Sequence, residues 1–561
     1  METSQHHQIF ANARVYTSHS NDTTPRFAEC IVVQDGIIQH VGAETDDAVA
    51  AAKAAGARVR DMQGRTMLPG FIDGHLHLLL VGQALTKASL DACTSLDEIR
   101  AEVAAYARAH PELPRIFCRG WTHSMTPDGV DASMLDDLDA RPIFIDTKDL
   151  HSTWCNSAGL RQVCDTIGLG HETPDPPGGT IQRGQDGRPN GVFNESAVFN
   201  FIWPFVAKVA TLEEKKEAIQ AAMTAFSAAG YTGMIDMAME ENIWEPLMEL
   251  RRQQGELSGM RVAAYWLIKP SKSLDEVLAQ VDRAAALAER FNAATAPDCR
   301  VVGIKVICDG IIDACTASLT EPYCNGQAPE PIWQPQQLHA VVARAHQARL
   351  QVALHAIGDK TITMAIDALQ ASTDASLRPR IEHLELASLD DAPRLGRLGI
   401  TASIQPVHSD PAILQAWPRL VGATRYQTAF AYGAFADGGA PLALGSDAPT
   451  APHAPLPNIY VATTRRSFRD PQLQSRVNPE FALSACQAIA AATHGSAYSC
   501  FADQWTGRLQ PGLMADFVVC HVDLTPDKLV RGVVCETWYH GRRVYCAIDE
   551  AAAVAFRVPS R

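Results

Sequence analysis

Residues 70–78, GFIDGHLHL, place two histidines, His75 and His77, on either side of a single leucine. In an extended strand successive side chains point to opposite faces, so both imidazoles lie on the same face. The rest of the stretch is largely apolar, which is typical of a strand buried on both sides. The segment therefore predicts a buried strand whose carboxyl end presents two potential metal ligands. The alternative for such a pair is a purely structural role.

Four further polar residues occupy the same kind of position elsewhere in the chain. Each stands at or near the end of an apolar, strand-like run. They are Lys305 in VVGIKVICDG, His355 in LQVALHAIGD, His383 in RIEHLE and Asp447 in APLALGSDAP. Taken singly, a buried structural histidine or a turn-capping aspartate is the ordinary interpretation. No local motif links the six residues, so only a fold that gathers strand ends makes them neighbours.

The order of elements predicts such a fold. From residue 231 onward, short apolar runs alternate with amphipathic segments of helical length such as SLDEVLAQVDRAAALAERF. Eight strand candidates can be counted: GFIDGHLHL, YTGMIDMA, RVAAYWLI, VVGIKVICDG, QVALHAIG, RIEHLE, ITASIQP and PLALGSD. Eight such units predict an α/β fold of the (β/α)8 TIM barrel type, with catalytic residues at the carboxyl ends of the strands. The six polar residues then lie on the first, fourth, fifth, sixth and eighth strands.

Two regions fall outside the predicted barrel, which we place at residues 67–504. Residues 1–66 and 505–561 carry short alternating runs, such as ECIVVQDGIIQHVG and ADFVVCHVD, and we expect them to pair into one small β-sandwich. An insertion at about residues 82–229 follows the first strand and is expected to rise over the barrel mouth. We expect its segment TPDPPGGTIQRGQDGRPNGV, rich in proline and glycine, to be loop.

The composition describes a large globular protein with an acidic surface. The 561 residues include 47% hydrophobic and 20% charged residues, with a formal net charge of −15, which disfavours nucleic acid or an anionic membrane as partner. The segment METSQHHQIF lacks the pattern of a secretory signal, and no apolar run approaches the roughly 20 residues of a membrane helix. The 14 cysteines form no CxxC pairs, which indicates free thiols. We expect a cytoplasmic protein that acts on a small molecule and, if it assembles, forms a homodimer.

Imidazole and carboxylate side chains are ligands for zinc and similar divalent ions, which turn water into a nucleophile near neutral pH. Lys305 is the most discriminating of the six residues, because a buried ammonium inside a strand is costly unless it is paired or neutralised. One solution is an ion pair with Asp309 or Asp313. The other is reaction of the neutral amine with carbon dioxide to give a carbamate, an anion with two oxygens that can bridge two metals.

The set of motifs resembles the amidohydrolase superfamily, and within it the YtcJ-like branch, amidohydrolase family 3. The resemblance covers nearly the whole chain. It depends on the following strings in this order: MLPGFIDGHLHL, GWTHSM, DLHSTWCNSAGL, GGTIQRGQDGRPNGVFNESA, GIKVICDG, LHAIGD, RIEHLE, LGSDAP and TGRLQPGLMADFVV. In that family the HxH pair belongs to the first barrel strand, a carbamylated lysine to the fourth, histidines to the fifth and sixth, and an aspartate to the eighth. The strand count made above gives the same numbers.

The resemblance implies a role for each residue. His75, His77 and Asp447 would hold one divalent metal, expected to be zinc, and His355 and His383 a second. Lys305, carboxylated on its side-chain nitrogen, would bridge the two, although a mononuclear site stays open. Asp447 would be the catalytic residue that takes a proton from the attacking hydroxide and delivers it to the leaving amine.

Substrate-binding candidates come from the insertion. Trp121, His123 and His151 lie in the GWTHS and DLHSTWCN strings, and Arg183 in TIQRGQDG suits a carboxylate. Packing under a loop is the alternative for Trp121, and simple solvation for Arg183. Family sequences often carry an acidic residue directly after the arginine, whereas Gly184 follows it here.

The resemblance implies hydrolysis of a C–N bond, in an amide or an N-substituted formamide, by a metal-bound hydroxide. A metal-dependent decarboxylase or lactonase is the second interpretation, since the same site polarises other carboxyl derivatives. A barrel that has lost its chemistry and serves as a scaffold is the third, and loss of ligands would mark it. All six ligands are present.

Overall fold

The centre of the structure is a barrel of eight parallel strands. The computed structural model describes residues 7–147, 152–176, 179–195, 197–257, 259–372 and 374–547. The barrel strands, in chain order and in the order in which they pair, are Phe71–Leu76, Tyr231–Met239, Arg261–Ile268, Cys299–Ile307, Gln351–Ala356, Arg380–His383, Thr401–Ile404 and Leu442–Leu444. These are the eight strands predicted from the sequence, and the TIM barrel is confirmed.

The two edges of the barrel sheet meet between the first and the eighth strand. Leu76 forms a parallel bridge with Ala448, and Asp73 accepts hydrogen bonds from the amide and the hydroxyl of Ser446 at 2.9 and 2.6 Å. The backbones approach so closely that a Cβ at Gly74 would lie 2.8 Å from the carbonyl oxygen of Leu444. A glycine is therefore required for closure, and closure brings the first and eighth strand ends together.

Amphipathic helices cover the outside of the barrel. Ser273, for example, caps the helix Leu274–Arg290 by accepting a hydrogen bond from the amide of Glu276, and Val277 and Val281 face inward. The helices around the barrel are Leu78–Leu85, Leu212–Ala228, Glu241–Gln254, Leu274–Arg290, Pro335–Gln347, Asp359–Ser372, Ala392–Leu398, Trp417–Leu420, Ala423–Tyr426, Tyr432–Asp437, Pro455–Thr464, Ala485–Ala490 and Ser496–Ser499. Burying each large aliphatic side chain of these faces stabilises the fold by about 1.5–3 kcal/mol.

Both ends of the chain build one β-sandwich beside the barrel. One sheet has the order Ile37–Gly42, Cys30–Gln34, His7–Ala11 and Arg58–Asp61. The other has the order Arg542–Cys546, Val533–Tyr539, Phe517–His521, Thr66–Pro69, Arg14–Tyr16 and Phe27–Ala28. Phe10 of the first sheet packs edge-on against Phe517 and Trp538 of the second at 4.9 Å between ring centroids. The predicted pairing of the two termini is confirmed.

The insertion after the first barrel strand has a sheet of its own. Its strands pair in the order Gly179–Arg183, Pro189–Glu195, Ser152–Cys155, Ile143–Thr147, Ile116–Trp121 and Ala88–Ser89. Its helices are Leu96–Ala109, Ser157–Ile167 and Trp203–Val209. None of the described helices is long and apolar enough to cross a membrane.

The prediction that residues 173–192 form only loop was wrong. Gly179–Arg183 and Pro189–Glu195 form an antiparallel hairpin, closed where the amide of Gly184 donates to the carbonyl of Arg188 at 2.8 Å. Ile181 is buried between exposed neighbours, so the period-2 alternation of a strand was present. The many glycines and prolines of this segment led to the prediction of loop in place of strand. Gly187, at φ 76°, is needed only for the turn between the two strands.

Candidate metal centre

The six polar residues predicted as ligands all lie at the carboxyl ends of barrel strands. His75 and Lys305 lie inside their strands near the end, His355 is the penultimate residue of its strand, and His383 is the last residue of the sixth strand. His77 follows the first strand directly, and Asp447 lies three residues beyond the end of the eighth strand. The barrel therefore gathers residues that are as much as 372 positions apart in the chain, counted from His75 to Asp447.

His75, His77 and Asp447 form the tightest group. Asp447 Oδ1 lies 3.4 Å from His75 Nε2 and 3.2 Å from His77 Nε2. Neither approach has the geometry of a hydrogen bond, and within the described ranges no other group donates to this buried carboxylate oxygen. One ligand atom from each residue falls within 4.8 Å of the others. Three ligand atoms that converge without bonding to one another are the arrangement that a divalent cation requires, and the residues fit such an ion.

The backbone holds this group in place. The amide of Asp447 donates to the carbonyl of His75 at 2.7 Å, and the amide of His77 donates to that of Ala448 at 3.0 Å. Gly445 lies against His75, where a Cβ would stand 2.5 Å from the His75 nitrogen. The three side chains are thus positioned by the same contacts that close the barrel.

His355 and His383 extend the cluster to the fifth and sixth strands. The ring of His383 lies 4.8 Å from the ring of His75 and 4.4 Å from that of His355, measured between centroids. The backbone of His383 has φ 76° and that of Asp447 has φ 56°, both in the left-handed region that non-glycine residues rarely adopt. Such conformations concentrate at functional sites, where the surrounding structure maintains them.

Lys305 is almost fully buried within the fourth strand. Burial lowers its pKa to about 8, and Glu382 and Asp447 offset part of that effect. Asp309 is not its partner, because that carboxylate accepts from the amides of Ile357 and Gly358 at 3.0 and 2.9 Å. Asp313 accepts from the indole of Trp417 at 3.2 Å. The acidic groups that act most strongly on Lys305 are Glu382 and Asp447, so the structure does not support the predicted alternative of an ion pair with Asp309 or Asp313.

The electrostatics of the cluster favour neutral imidazoles and an ionised aspartate. Burial, and next the charge of Lys305, lower the pKa of His75 to about 4 and that of His355 to about 3. Burial also lowers the pKa of His383 well below its ordinary value. For Asp447 burial acts in the opposite direction, but the neighbouring imidazoles hold its pKa well below the usual range. Neutral imidazole and carboxylate are the forms that bind metal.

Arg380 and Glu382 support the cluster from inside the barrel, and the sequence prediction missed both. Glu382 Oε2 accepts from His75 Nδ1 at 2.8 Å, which leaves His75 Nε2 free as a ligand atom. Arg380 donates to both oxygens of Glu382, at 2.6 and 3.1 Å, and all three side chains are buried. The signal was the spacing of Arg380 and Glu382 in RIEHLE, which puts both on the inner face of one strand.

A second pair that the sequence prediction missed lies at the seventh strand. His408 follows that strand in the one-turn helix Pro406–Ser409 and contacts Glu385 through Nδ1 at 3.0 Å. Its Nε2 lies 3.7 Å from Asp447 Oδ2, the carboxylate oxygen opposite to the one near His75. Burial lowers the pKa of His408, but Glu385 outweighs it and the net shift is upward. With His383 these two residues form a second group able to hold a metal ion.

No contact joins the described insertion candidates to the six residues. Trp121 is buried, donates to Thr126 at 3.0 Å and packs on Trp154, so it belongs to the insertion core. His123 is exposed and lies 3.4 Å from the Ser152 hydroxyl. Arg183 donates to three backbone carbonyls of its own hairpin region, at 2.6–3.1 Å. His151 lies outside the described residues.

Comparison with known proteins identifies the family. A sequence profile of the amidohydrolase family matches residues 58–545. The chain belongs to the amidohydrolase family. It is 27% identical over 542 residues to the putative amidohydrolase YtcJ of Bacillus subtilis, covering 92% of this chain and 96% of that protein. It is 24% identical over 536 residues to the N-substituted formamide deformylase of Arthrobacter pascens, covering 92% and 93%.

A solved structure supports the same assignment. The crystal structure of an uncharacterized metal-dependent hydrolase from Pyrococcus furiosus matches 92% of this chain and 99% of its own, with a TM-score of 0.75 and 25% sequence identity. The resemblance predicted from the motifs is therefore confirmed at the level of the amidohydrolase family. The ligand roles of the six residues are not tested by these comparisons and stay predictions.

Proposed function

We propose that this member of the amidohydrolase family is a metal-dependent hydrolase that cleaves the C–N bond of an amide or an N-substituted formamide. The proposal depends on one observation, the convergence of His75, His77 and Asp447 around a buried carboxylate oxygen to which no described residue donates a hydrogen bond of good geometry. Burying an unpaired charged oxygen is costly, so a cation is the partner that suits it. The similarity to an N-substituted formamide deformylase supports the choice of a C–N bond.

The residues that would hold metal fall into two groups. His75, His77 and Asp447 would bind one divalent cation, and His355 and His383 a second. Imidazole and carboxylate donors suit zinc and related ions. When bound, the cation supplies Lewis acidity, which makes water nucleophilic near neutral pH and polarises a carbonyl group.

Lys305 would join the two groups as a carbamate. Its neutral amine attacks carbon dioxide, an N–C bond forms, and one proton leaves the nitrogen, which gives an anionic carbamate. With a pKa of about 8, roughly a tenth of the side chain is neutral at pH 7, far more than for an ordinary lysine.

Asp447 would move the proton. Its carboxylate is ionised, so it accepts the proton of the water that attacks the substrate carbonyl and returns it to the nitrogen as the C–N bond breaks. The two oxygens face different neighbours, Oδ1 the imidazoles of His75 and His77 and Oδ2 the ring of His408. Glu382 keeps His75 in the tautomer whose Nε2 is a lone-pair donor.

The test begins with metal analysis of the purified protein by mass spectrometry, where we expect one to two equivalents of a divalent ion. The metal-replete protein is then assayed with N-substituted formamides and N-acyl amines for amine release. The alternative activities are tested with lactones, by measuring acid release, and with aromatic carboxylic acids, by measuring carbon dioxide release. If a lactone or a carboxylic acid were turned over and no amine were released from the amides, the protein would be a lactonase or a decarboxylase and the proposal would be wrong.

Asp447→Asn separates catalysis from folding. The variant should keep its fold and lose at least about 100-fold in kcat, because proton transfer contributes on that order. Asp128→Asn, at an exposed position outside the site, is the matched control and should be unchanged. A folded wild-type protein that binds no metal, or an Asp447→Asn variant of full activity, would contradict the proposal.

A further inference from the structure

Gln405 is a buried carboxamide with unused hydrogen-bonding capacity. It follows the seventh barrel strand and is 1% exposed, and neither its Nε2 nor its Oε1 has a hydrogen-bond partner in the part of the chain that the structure describes. Leaving such a group unpaired inside a protein destabilises the fold, by about 1–3 kcal/mol per group. A side chain with both a buried, unpaired donor and a buried, unpaired acceptor therefore indicates a ligand that pairs with both.

The other buried carboxamides of the described chain do not share this property. Each of them uses both its nitrogen and its oxygen. These residues are Gln8, Asn156, Gln351 and Asn458. Asn458, for example, accepts from the amide of Val407 at 3.0 Å and donates to the carbonyl of Gly445 at 2.8 Å, which ties the seventh strand end to the eighth. Gln405 thus differs from side chains that hold the fold together.

The position of Gln405 is the mouth of the barrel. Ser403, two residues earlier, accepts a hydrogen bond from Arg380 Nη2 at 2.9 Å, so its side chain faces the barrel interior. Alternate residues of a strand share a face. The backbone of Gln405 is still extended, with φ −122° and ψ 84°, and its side chain therefore faces the same way, about 6–7 Å further toward the carboxyl end. That is the end at which His383 and Asp447 lie.

The backbone around Gln405 is fixed independently of its side chain. Its carbonyl accepts from the amide of His408 at 2.9 Å and from the hydroxyl of Tyr432 at 3.4 Å. The carboxamide is therefore presented by a rigid strand end and takes no part in holding it. Such preorganised polar groups in a cleft give orientation and specificity to a bound small molecule.

We propose that Gln405 binds the substrate through an amide edge, with Nε2 donating to a carbonyl oxygen and Oε1 accepting from an N–H of the same ligand. Both bonds form at once only when the ligand's N–H and C=O point to the same side. Within the proposed class of C–N substrates, this selects a primary carboxamide, a urea or a cyclic amide rather than an N-substituted formamide, whose N–H and C=O point to opposite sides. This inference rests on the proposed function, since it assigns the substrate of the same site.

The experiment compares three probes on the metal-replete protein. Benzamide presents N–H and C=O on the same side, N-methylbenzamide presents them on opposite sides, and N,N-dimethylbenzamide has no N–H. Dissociation constants are measured by calorimetry or by ligand-observed NMR. We expect benzamide to bind about tenfold more tightly than N,N-dimethylbenzamide, as the loss of one neutral hydrogen bond predicts. N-methylbenzamide should bind like N,N-dimethylbenzamide, because its N–H and C=O point to opposite sides and cannot both pair with Gln405.

Gln405→Met removes both hydrogen-bonding atoms and nearly keeps the shape. The variant should bind the three probes within about twofold of one another, with unchanged metal content and an unfolding midpoint equal to or above that of the wild type. Gln427→Met, at an exposed position, is the control and should keep the wild-type preference.

Four outcomes overturn the inference: wild-type protein that binds no benzamide, a wild-type preference for the N-methylated probes, unchanged discrimination in Gln405→Met, or a Gln405→Met variant that is destabilised or does not fold. The last would assign the carboxamide to the fold. If the protein hydrolysed amides but its preference among the three probes did not depend on Gln405, this inference would be refuted and the proposed function would stand. Discrimination that depends on Gln405 in a protein without amidase activity would refute the proposed function alone.

Discussion

Replacing Glu382 with glutamine should weaken both the fold and the metal site, because this carboxylate serves two partners. It pairs with Arg380 through bonds of 2.6 and 3.1 Å and accepts from His75 Nδ1 at 2.8 Å, and no part of it is exposed to solvent. The neutral carboxamide removes the charge that compensates the buried guanidinium. It also leaves His75 without the acceptor that fixes its tautomer.

The expected magnitudes follow from these two losses. Removing one partner of a buried ion pair costs about 3–5 kcal/mol. The glutamine oxygen still accepts one bond and Arg380 keeps Gly74 and Ser403 as acceptors, so we expect the lower end, about 3 kcal/mol. Loss of the group that orients a metal-bound histidine reduces metal affinity about 10–100-fold.

Two assays separate the effects. Urea denaturation of the metal-free protein gives the free energy of unfolding, and competition with a chelator gives the metal dissociation constant. Glu249→Gln is the matched control, since Glu249 pairs with Arg252 on the surface of a helix and its loss should change neither quantity measurably. If Glu382→Gln behaved like Glu249→Gln in both assays, Glu382 would not be the residue that orients His75.

Two further predictions concern stability. His453 stacks on Phe226 at 4.6 Å, and burial lowers its pKa from 6.5 to about 4, so its contribution is complete above pH 6.5 and is lost as the pH falls toward 4. His453→Phe keeps the ring stacking but has no titrating group. In urea denaturation, the free energy of unfolding of this variant should therefore fall by about 2 kcal/mol less than that of the wild type between neutral pH and pH 4. If the free energies of unfolding of the two proteins changed in parallel with pH, His453 would not be the titrating group. A Cβ at Gly82 would lie 1.9 Å from the carbonyl oxygen of Ala218, so Gly82→Ala should lose at least about 1–3 kcal/mol. Gly170→Ala, where a Cβ meets nothing within 4 Å, should be neutral, and equal melting of the two variants would refute the clash.

The barrel could be predicted from the sequence because its strands combine two strong signals. A parallel strand covered on both sides is apolar throughout, so a polar residue within it, such as Lys305, is conspicuous. The fold then places such residues at one end of the barrel. The HxH spacing of His75 and His77 adds a local signal that needs no tertiary information.

The supporting residues could not be predicted in the same way, because their partners come from distant strands. Glu382 is unremarkable in RIEHLE until the first strand brings His75 to within 2.8 Å of it. His408 lies in a turn after a strand to which no ligand had been assigned. Trp121 was placed at the mouth by its motif, although its indole packs in the insertion core. Local sequence shows the type of a side chain but not the direction from which a second strand approaches.

The positions of Asp447 and Gln405 suggest which strand ends of the barrel would bind metal and which would bind substrate. The first, fourth, fifth, sixth and eighth strand ends carry the six residues predicted to hold metal, whereas the seventh carries Gln405 and His408, and His408 belongs to a second group able to hold a metal ion. Asp447 lies between the two sets, with Oδ1 toward His75 and His77 and Oδ2 toward His408. Under the proposed function, a proton carried by Asp447 would pass between these two sides, and the left-handed backbone at φ 56° holds the carboxylate between them. Under the proposed function, the six ligands explain why a C–N bond is cleaved, and the seventh strand explains which molecule is bound for cleavage.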